Sequence, residues 1–399
     1  MSGLPIKSEI NGRIERFQHL LRKRRVDGAL IVQKVDLYYL SGTDQDAHLW
    51  IPASDQPLLM VRKSVERALE DAVTDVIEPI SSLSRIRDLI KKHHKKTPDS
   101  LGLELDILPF QAYQAYSSMF PETHVVDISS LIRRVRMVKS PHELSLIKKA
   151  AEMGDSLYLH VPDFVRDSET ENDLAIKAES FYRIHGHPGQ VRTRAFNMEC
   201  LYGHIMAGAG AAVPSASPGP TGGTGFGPYQ SHGAGWRKIS THEPILIDYA
   251  SSFEGYLCDQ TRIFALGKLS EKFDRAHRIM IEVQDTLARD GKPGVTSGDL
   301  YALALKIVEE SGLSEGFMGY PQPVPFVGHG LGLELDEWPV IGRNTEFVLD
   351  EGMTIALEPK YVFPGEGVVG IENTFVVTDR GMERLNRFPD DIAVISLSG

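Results

Sequence analysis

Apolar residues near the start of the chain recur at helical spacing, with charged residues between them, over residues 10–24. The apolar run 29–32 that follows has the length and composition of a buried strand. Helical and strand patterns then alternate as far as an apolar strand at 125–128. This alternation is typical of an α/β layer structure, so we predict an α/β domain over residues 1–137.

A new helix begins directly after this domain. Ser140, Pro141 and Glu143 have the sequence pattern of a capping box, with proline at the first helical position. We therefore place a linker at 136–139 and a second domain at 138–399.

The second domain shows a different sequence pattern, with helices and strands in separate blocks. Residues 203–235 contain ten glycines and four prolines, and we predict a long irregular loop there. The blocks around the loop predict an α+β domain. They comprise helices at 141–160, 170–185, 271–290 and 297–311, and strands at 244–250, 256–265, 353–358 and 368–378.

Acidic residues occupy strand positions where the pattern favours apolar ones. Asp248 ends one apolar strand and Asp259 lies on the next, so a turn near Phe253 would make the two carboxylates face one another. Glu358 and Glu372 repeat the arrangement on a later pair of strands. Like charges at this spacing are destabilising unless a cation lies between them, and a divalent metal is the commonest such cation.

His329, in the glycine-rich segment 328–332, adds a nitrogen ligand to these four carboxylates. The set is hard and rich in oxygen, which suits Mn²⁺, Co²⁺, Zn²⁺ or Fe²⁺. We predict that it holds two divalent metal ions.

Composition narrows the classes of partner. The chain has 43 lysines and arginines against 54 aspartates and glutamates, and its net charge of −11 repels phosphate backbones. Its two cysteines, Cys200 and Cys258, match no metal or redox spacing, and we expect both to be reduced. We find no signal-peptide pattern at Met1 to Pro5 and no apolar run of membrane-spanning length. We expect a cytoplasmic protein with no nucleic-acid or membrane partner.

The acidic and histidine motifs resemble those of the pita-bread metallohydrolases, the family of methionine aminopeptidase, aminopeptidase P, prolidase and the metal-free creatinase. The first 137 residues resemble the N-terminal domain shared by prolidase, aminopeptidase P and creatinase. The resemblance implies a creatinase-like α/β domain followed by an α+β pita-bread catalytic domain. The matching motifs are Ile247–Asp248, Gly255 to Arg262, Gly328 to Gly332, Gly352 to Pro359 and Ile371 to Asn373.

The same resemblance implies a role for each ligand. Asp248 would bind one metal, Asp259 and Glu372 would bridge both, and His329 and Glu358 would bind the other. Glu358 would also carry the proton from a metal-bound hydroxide nucleophile to the leaving nitrogen. The implied activity is that of a dinuclear metallopeptidase cleaving Xaa-Pro bonds, as a dipeptidase or an aminopeptidase.

Three positions depart from the family pattern or match it loosely. Seven residues after the ligand histidine, where the peptidases carry a second histidine, this chain has Asp336, and we predict that its carboxylate faces the substrate. Two residues before Glu372, prolidase and aminopeptidase P carry arginine where this chain has Gly370. The family's other substrate-side histidine best matches His232.

These departures leave two other functions open. One is hydrolysis or lysis of a small non-peptide metabolite on the same fold, as in creatinase relatives. The other is a binding module on an inactive scaffold, which the retained ligands and the lack of acidic tails disfavour. The expected partners are a small peptide or small-molecule substrate and, by the resemblance, a second copy of the chain.

Overall fold

The computed structural model describes residues 7–397 and divides into two compact units, Met1–Arg136 and Met137–Gly399. We therefore propose a domain boundary near residue 137. The signal-peptide assessment at Met1 to Pro5 concerns residues outside the described part. Among residues 7–397, no helix combines the length and apolar character needed to span a membrane.

The N-terminal unit is built on one mixed sheet of six strands in the order β4-β3-β2-β1-β5-β6. Strand β2 runs antiparallel to both of its neighbours, whereas the other adjacent pairs are parallel. The elements are α1 (Lys7–Arg24), β1 (Gly28–Ile31), α2 (Lys34–Ser41), β2 (Ala47–Pro52), β3 (Leu58–Val61), α3 (Val65–Asp71), β4 (Val76–Pro79), α4 (Arg85–His94), β5 (Ser100–Leu103), α5 (Phe110–Met119), β6 (His124–Asp127) and α6 (Ser129–Met137). The α/β class is confirmed, but the sequence pattern missed α2, β2, β4 and α6.

The C-terminal unit contains two larger sheets, ordered β17-β9-β8-β7 and β11-β10-β12-β15-β16, and the hairpin β13-β14. Helices α10 and α11 pack against apolar strand residues in its main core. The elements are α7 (Pro141–Arg166), α8 (Glu171–Ile184), β7 (Gly203–Ala207), α9 (Gly208–Ala211), β8 (Ile245–Phe253), β9 (Tyr256–Leu266), α10 (Glu271–Asp290), α11 (Ser297–Glu310), β10 (Phe326–Gly330), β11 (Glu337–Gly342), β12 (Thr354–Leu357), β13 (Lys360–Phe363), β14 (Gly367–Gly370), β15 (Asn373–Thr378), β16 (Gly381–Arg384) and β17 (Ala393–Ile395).

Helix α7 begins at the predicted capping box. The Ser140 hydroxyl accepts a hydrogen bond from the Glu143 N–H at 3.2 Å, and the Glu143 carboxylate accepts one from the Ser140 N–H at 2.9 Å. These reciprocal bonds satisfy N–H groups that a helix start leaves without partners. The helix runs on to Arg166, beyond the predicted end at residue 160 and past Pro162.

The glycine-rich region is less irregular than its composition predicts. Residues 203–207 form β7, which pairs with β8, and 208–211 form the short helix α9. Ile205, Met206 and Ala207 are buried, so a short apolar strand lies hidden among the glycines. The irregular segment starts only after α9 and reaches β8.

A buried histidine in the N-terminal unit predicts acid sensitivity. Nε2 of His48 lies 2.9 Å from the Tyr116 hydroxyl, and burial lowers the pKa of His48 to about 4. The unfolded chain, with an ordinary histidine pKa near 6.5, takes up the proton first as the pH falls. The unit's free energy of unfolding should therefore drop by about 2 kcal/mol between pH 7 and pH 4.5 through this residue.

Urea unfolding of the wild type and His48→Gln at both pH values measures this contribution. Glutamine keeps a polar partner for Tyr116 but does not titrate, so the variant should lose less stability on acidification. Equal losses in the two proteins would contradict the assignment.

Candidate metal centre

Strands β8 and β9 place the two aspartates on one face of their sheet. The turn lies at 254–255, where both residues have positive φ, 48° and 85°. Asp248 is paired with Thr261, and Asp259 with Ala250. The aspartates are therefore diagonal neighbours rather than directly opposed, because the turn lies one residue later than predicted. Diagonal side chains on one face remain within reach of a shared partner.

The other three candidate ligands come from the second large sheet. His329 pairs with Ala356 across β10 and β12, and Glu358 follows the last residue of β12. Glu372 lies in the break between β14 and β15 and forms an isolated bridge with Thr261 of β9. The Thr261 hydroxyl donates to Oε2 of Glu372 at 2.8 Å. This bridge brings the acidic positions of the two sheets together.

The Arg262 side chain holds the backbone around Glu372 in place. Its buried guanidinium carries an ion pair to Asp390 at 3.1 Å. Every one of its five N–H donors can be matched to an acceptor in this region, which makes its position rigid. The acceptors are the carbonyl oxygens of Thr261, Glu372, Phe388 and Pro389 and the side-chain oxygen of Asn373.

Three of the five predicted ligands, Asp259, His329 and Glu372, offer ligand atoms that all lie within 4.8 Å of one another, and Glu358 also lies close to His329. Nε2 of His329 lies 3.9 Å from Oδ2 of Asp259, 3.7 Å from Oε1 of Glu358 and 3.8 Å from Oε1 of Glu372. Oε1 of Glu372 is buried and has no hydrogen-bond partner among the described residues. Atoms bound to one ion at about 2.1 Å lie roughly 3 to 4 Å from one another, so Asp259, His329 and Glu372 suit a single divalent cation, with Glu358 beside them on the His329 side.

The fifth predicted ligand, Asp248, faces a residue that sequence reasoning missed. Nζ of Lys360 lies 3.3 Å from Oδ2 of Asp248, 2.9 Å from Oε2 of Glu358 and 2.8 Å from Oε2 of Glu372. The Lys360 side chain is 0% exposed. An ammonium group thus lies among three of the carboxylates assigned to metal.

The charges in this cluster shift one another's ionisation. Burial opposes the charged form of Lys360, but Asp248, Glu358 and Glu372 together raise its pKa well above the ordinary value. Burial is also the main cause that raises the pKa of Asp259 well above its ordinary value, with Glu372 and Asp248 adding to the effect. Burial likewise raises the pKa of Glu372 to about 7, although Lys360 acts in the opposite direction. The cluster therefore needs positive charge to stay fully ionised.

The alternation of side chains in an extended segment would have predicted the position of Lys360. Residues two apart in an extended segment point to the same side, so the side chain two positions after Glu358 belongs with the acids. Lys360 pairs with Gly370 across the β13-β14 hairpin. A β-carbon built on Gly370 would lie 2.5 Å from the Pro359 carbonyl oxygen, 2.6 Å from Cα of Lys360 and 2.8 Å from its Cγ. The absence of a side chain at 370 therefore lets the two strands of the hairpin approach closely beside this lysine.

His232 lies beside a second histidine that the sequence did not single out. The rings of His232 and His204 are 6.0 Å apart and nearly perpendicular, and Nε2 of His232 lies 3.2 Å from the Gln230 amide nitrogen. His204 lies directly across β7 and β8 from Asp248. Burial lowers the pKa of His204, and its Nδ1 has no hydrogen-bond partner among the described residues. The pair borders the acidic cluster on the Asp248 side.

Both carboxylate oxygens of Asp336 accept hydrogen bonds from backbone N–H groups. One carboxylate oxygen accepts from the Arg194 N–H at 2.8 Å and the other from the Ala195 N–H at 3.1 Å. This geometry favours a role in holding the 192–198 loop over direct contact with a substrate. The predicted catalytic role of Asp336 has no support in these contacts.

Comparison with known protein families shows which family the chain belongs to. The family described as metallopeptidase family M24 matches residues 145–379. The chain belongs to this family. The creatinase/prolidase N-terminal domain matches residues 13–138. Membership confirms the predicted metallopeptidase class and implies divalent metal ions.

Similar proteins extend over nearly the whole chain. A Xaa-Pro dipeptidase from Pyrococcus furiosus is 26% identical over 378 residues, covering 94% of this chain and 97% of that protein. A solved Xaa-Pro dipeptidase from Bacillus anthracis has a TM-score of 0.82 at 24% identity, covering 96% of this chain and 99% of the other. An X-Pro aminopeptidase structure from Thermotoga maritima has a TM-score of 0.77 at 24% identity, covering 94% and 100%. These likenesses confirm the creatinase-type, pita-bread architecture.

The Asp336 contacts generate a prediction about the loop. Asp336→Ala removes both acceptors, so hydrogen exchange in a peptide spanning 190–200 should accelerate by tenfold or more at the two amides. Asp350→Ala is the matched control, because within residues 7–397 its carboxylate accepts only from the adjacent Glu351 N–H. Mass-spectrometric exchange that is unchanged in Asp336→Ala would show that the carboxylate does not hold this loop.

Proposed function

We propose that this protein is a metal-dependent peptidase that hydrolyses the peptide bond preceding proline, acting on dipeptides or short peptides. The observation that carries the proposal is the convergence of Asp259, His329 and Glu372 into a group that could hold one cation, with Glu358 3.7 Å from His329. Relatives named Xaa-Pro dipeptidase, matched over 94% of the chain, supply the substrate class.

The ligand set suits several metals. One imidazole and three carboxylates form a mixed nitrogen and oxygen site, which Mn²⁺, Co²⁺, Zn²⁺ and Fe²⁺ all accept. The buried, unpartnered Oε1 of Glu372 is the strongest single sign that this side of the cluster expects a cation. The two-ion arrangement implied by the family resemblance also needs Asp248, whose carboxylate already faces Lys360.

A divalent cation in this position supplies a Lewis acid that polarises the scissile carbonyl and makes a water more acidic. The chain's own residues then manage the protons. Glu358 has one oxygen held by the Lys360 N–H at 2.9 Å and the other turned toward His329, which fixes its orientation. We assign to Glu358 the transfer of a proton from the attacking water to the leaving nitrogen. His232 is assigned the polarisation of a substrate oxygen on the Asp248 side.

A second candidate function is hydrolysis or lysis of a small non-peptide metabolite. Lys360 and Gly370 favour it, because together they change the charge and the space on the Asp248 side of the cluster. A smaller substrate with a polar group complementary to that side would then replace a peptide.

We also propose that the protein forms a homodimer in the cytoplasm, which rests on the family resemblance. Size-exclusion chromatography with light scattering should give about twice the 44.3 kDa chain mass. A monomeric mass at micromolar concentration, together with full activity, would contradict the dimer.

Glu372 is the most informative position for activity. Glu372→Gln removes one ligand charge at nearly constant volume, so it should reduce hydrolysis of a Xaa-Pro dipeptide at least 100-fold and lose bound Mn²⁺ in parallel. The exposed Glu351→Gln is the matched control and should retain both properties.

The assay compares Xaa-Pro dipeptides, the same dipeptides with alanine in place of proline, and small amides, each with Mn²⁺ or Co²⁺. Turnover confined to Xaa-Pro substrates supports the peptidase. Turnover confined to the amides would replace it with the second candidate, and normal Mn²⁺ content in Glu372→Gln would contradict the ligand assignment.

A further inference from the structure

We propose that the ammonium group of Lys360 takes the place of a second divalent cation, so that the site pairs one exchangeable metal ion with one fixed organic cation. The inference rests on the proposed function only for the ion on the His329 side. It concerns what fills the Asp248 side of the same cluster.

The first argument is the position of the nitrogen. Three carboxylate oxygens, from Asp248, Glu358 and Glu372, converge on Nζ at 2.8 to 3.3 Å. A metal bound by these same oxygens would need bonds of about 2.0 to 2.2 Å and would occupy the space between them. Nζ already fills that space, so ion and ammonium exclude one another.

The second argument is how the two glutamates divide their oxygens. In both Glu358 and Glu372, Oε1 faces His329 and Oε2 faces Nζ of Lys360. Each carboxylate therefore spans two cation positions, as a bridging ligand does. The two positions differ, because the His329 side presents a buried Oε1 without a partner and the other side is satisfied by Lys360.

The third argument is that the Lys360 side chain is enclosed and that its N–H donors already face acceptors. An ammonium group has three donors, and three carboxylates surround this one. Its side chain is 0% exposed, and its backbone pairs with Gly370 in a close approach that a side chain at 370 would disrupt. Lys360 is therefore neither a nucleophile nor a substrate-binding group. It is a positioning residue that holds Asp248, Glu358 and Glu372.

The test is the metal stoichiometry. Protein stripped with a chelator and equilibrated with excess Mn²⁺ should bind one equivalent in the wild type, measured by mass spectrometry of the metal after removal of free ion. Lys360→Ala opens the second position and frees one oxygen of each of three carboxylates, so it should bind one equivalent more than the wild type. Lys139→Ala is the matched control, because Lys139 is an equally buried lysine paired with Glu337, outside the cluster, at 3.0 Å.

Two further measurements protect the test against a variant that folds poorly. Electron paramagnetic resonance of Mn²⁺-loaded wild type should show no exchange-coupled ion pair. In thermal unfolding without metal, Lys360→Ala should melt below the wild type, and Mn²⁺ should raise its melting temperature by more than it raises that of the wild type. Lys139→Ala should also melt lower, but Mn²⁺ should raise its melting temperature only by as much as that of the wild type, so its deficit should remain.

Two equivalents or an exchange-coupled pair in the wild type would overturn the inference, as would a Lys360→Ala protein with no extra equivalent. The proposed function fails separately, if metal-loaded wild type does not cleave Xaa-Pro substrates. A wild type with no bound Mn²⁺ would also overturn the inference, because the proposed site holds one exchangeable ion beside the ammonium group.

Discussion

Mutual repulsion among buried carboxylates is the constraint on which the functional half of this protein depends. Asp259, Glu358 and Glu372 are buried, and the half-buried Asp248 meets them at the edge of a region that largely excludes water. Such a meeting is stable only if positive charge lies between the acids. Removing one partner from a buried ion pair costs roughly 3–5 kcal/mol, so an uncompensated cluster of this kind would weaken the whole unit.

The surrounding structure serves to hold the acids against this repulsion. The Thr261–Glu372 bridge ties one sheet to the other, and Arg262 fixes the peptide groups on both sides of that bridge. The charged groups then orient the carboxylate side chains that the backbone has brought together. The two oxygens of Glu358 face different cation positions, which gives that residue a defined direction for handling a proton.

Much of this arrangement could be predicted from the sequence because it depends on local signals. The capping box at Ser140, the apolar strand before Asp248 and the glycines around His329 are each legible within a few residues. The exact register of Asp248 and Asp259 was not, since a turn shifted by one residue changes which side chains are opposed. Strand β7 was not predicted, because the ten glycines in 203–235 indicate an irregular loop and the apolar run at 205–207 is only three residues long. Lys360 could not be found from a pattern of metal ligands, since lysine is not one of them, although its spacing from Glu358 placed it on the same side.

The close approach of Gly370 to Lys360 also limits the sequences that this hairpin accepts. A β-carbon at position 370 would lie 2.5 Å from the Pro359 carbonyl oxygen and 2.6 Å from Cα of Lys360. Every residue at 360 would present these backbone atoms, so the clash does not depend on the lysine. Any side chain at 370 would force the two strands of the hairpin apart. The same glycine therefore sets the spacing of a hairpin whose first residue carries the ammonium group of the acidic cluster.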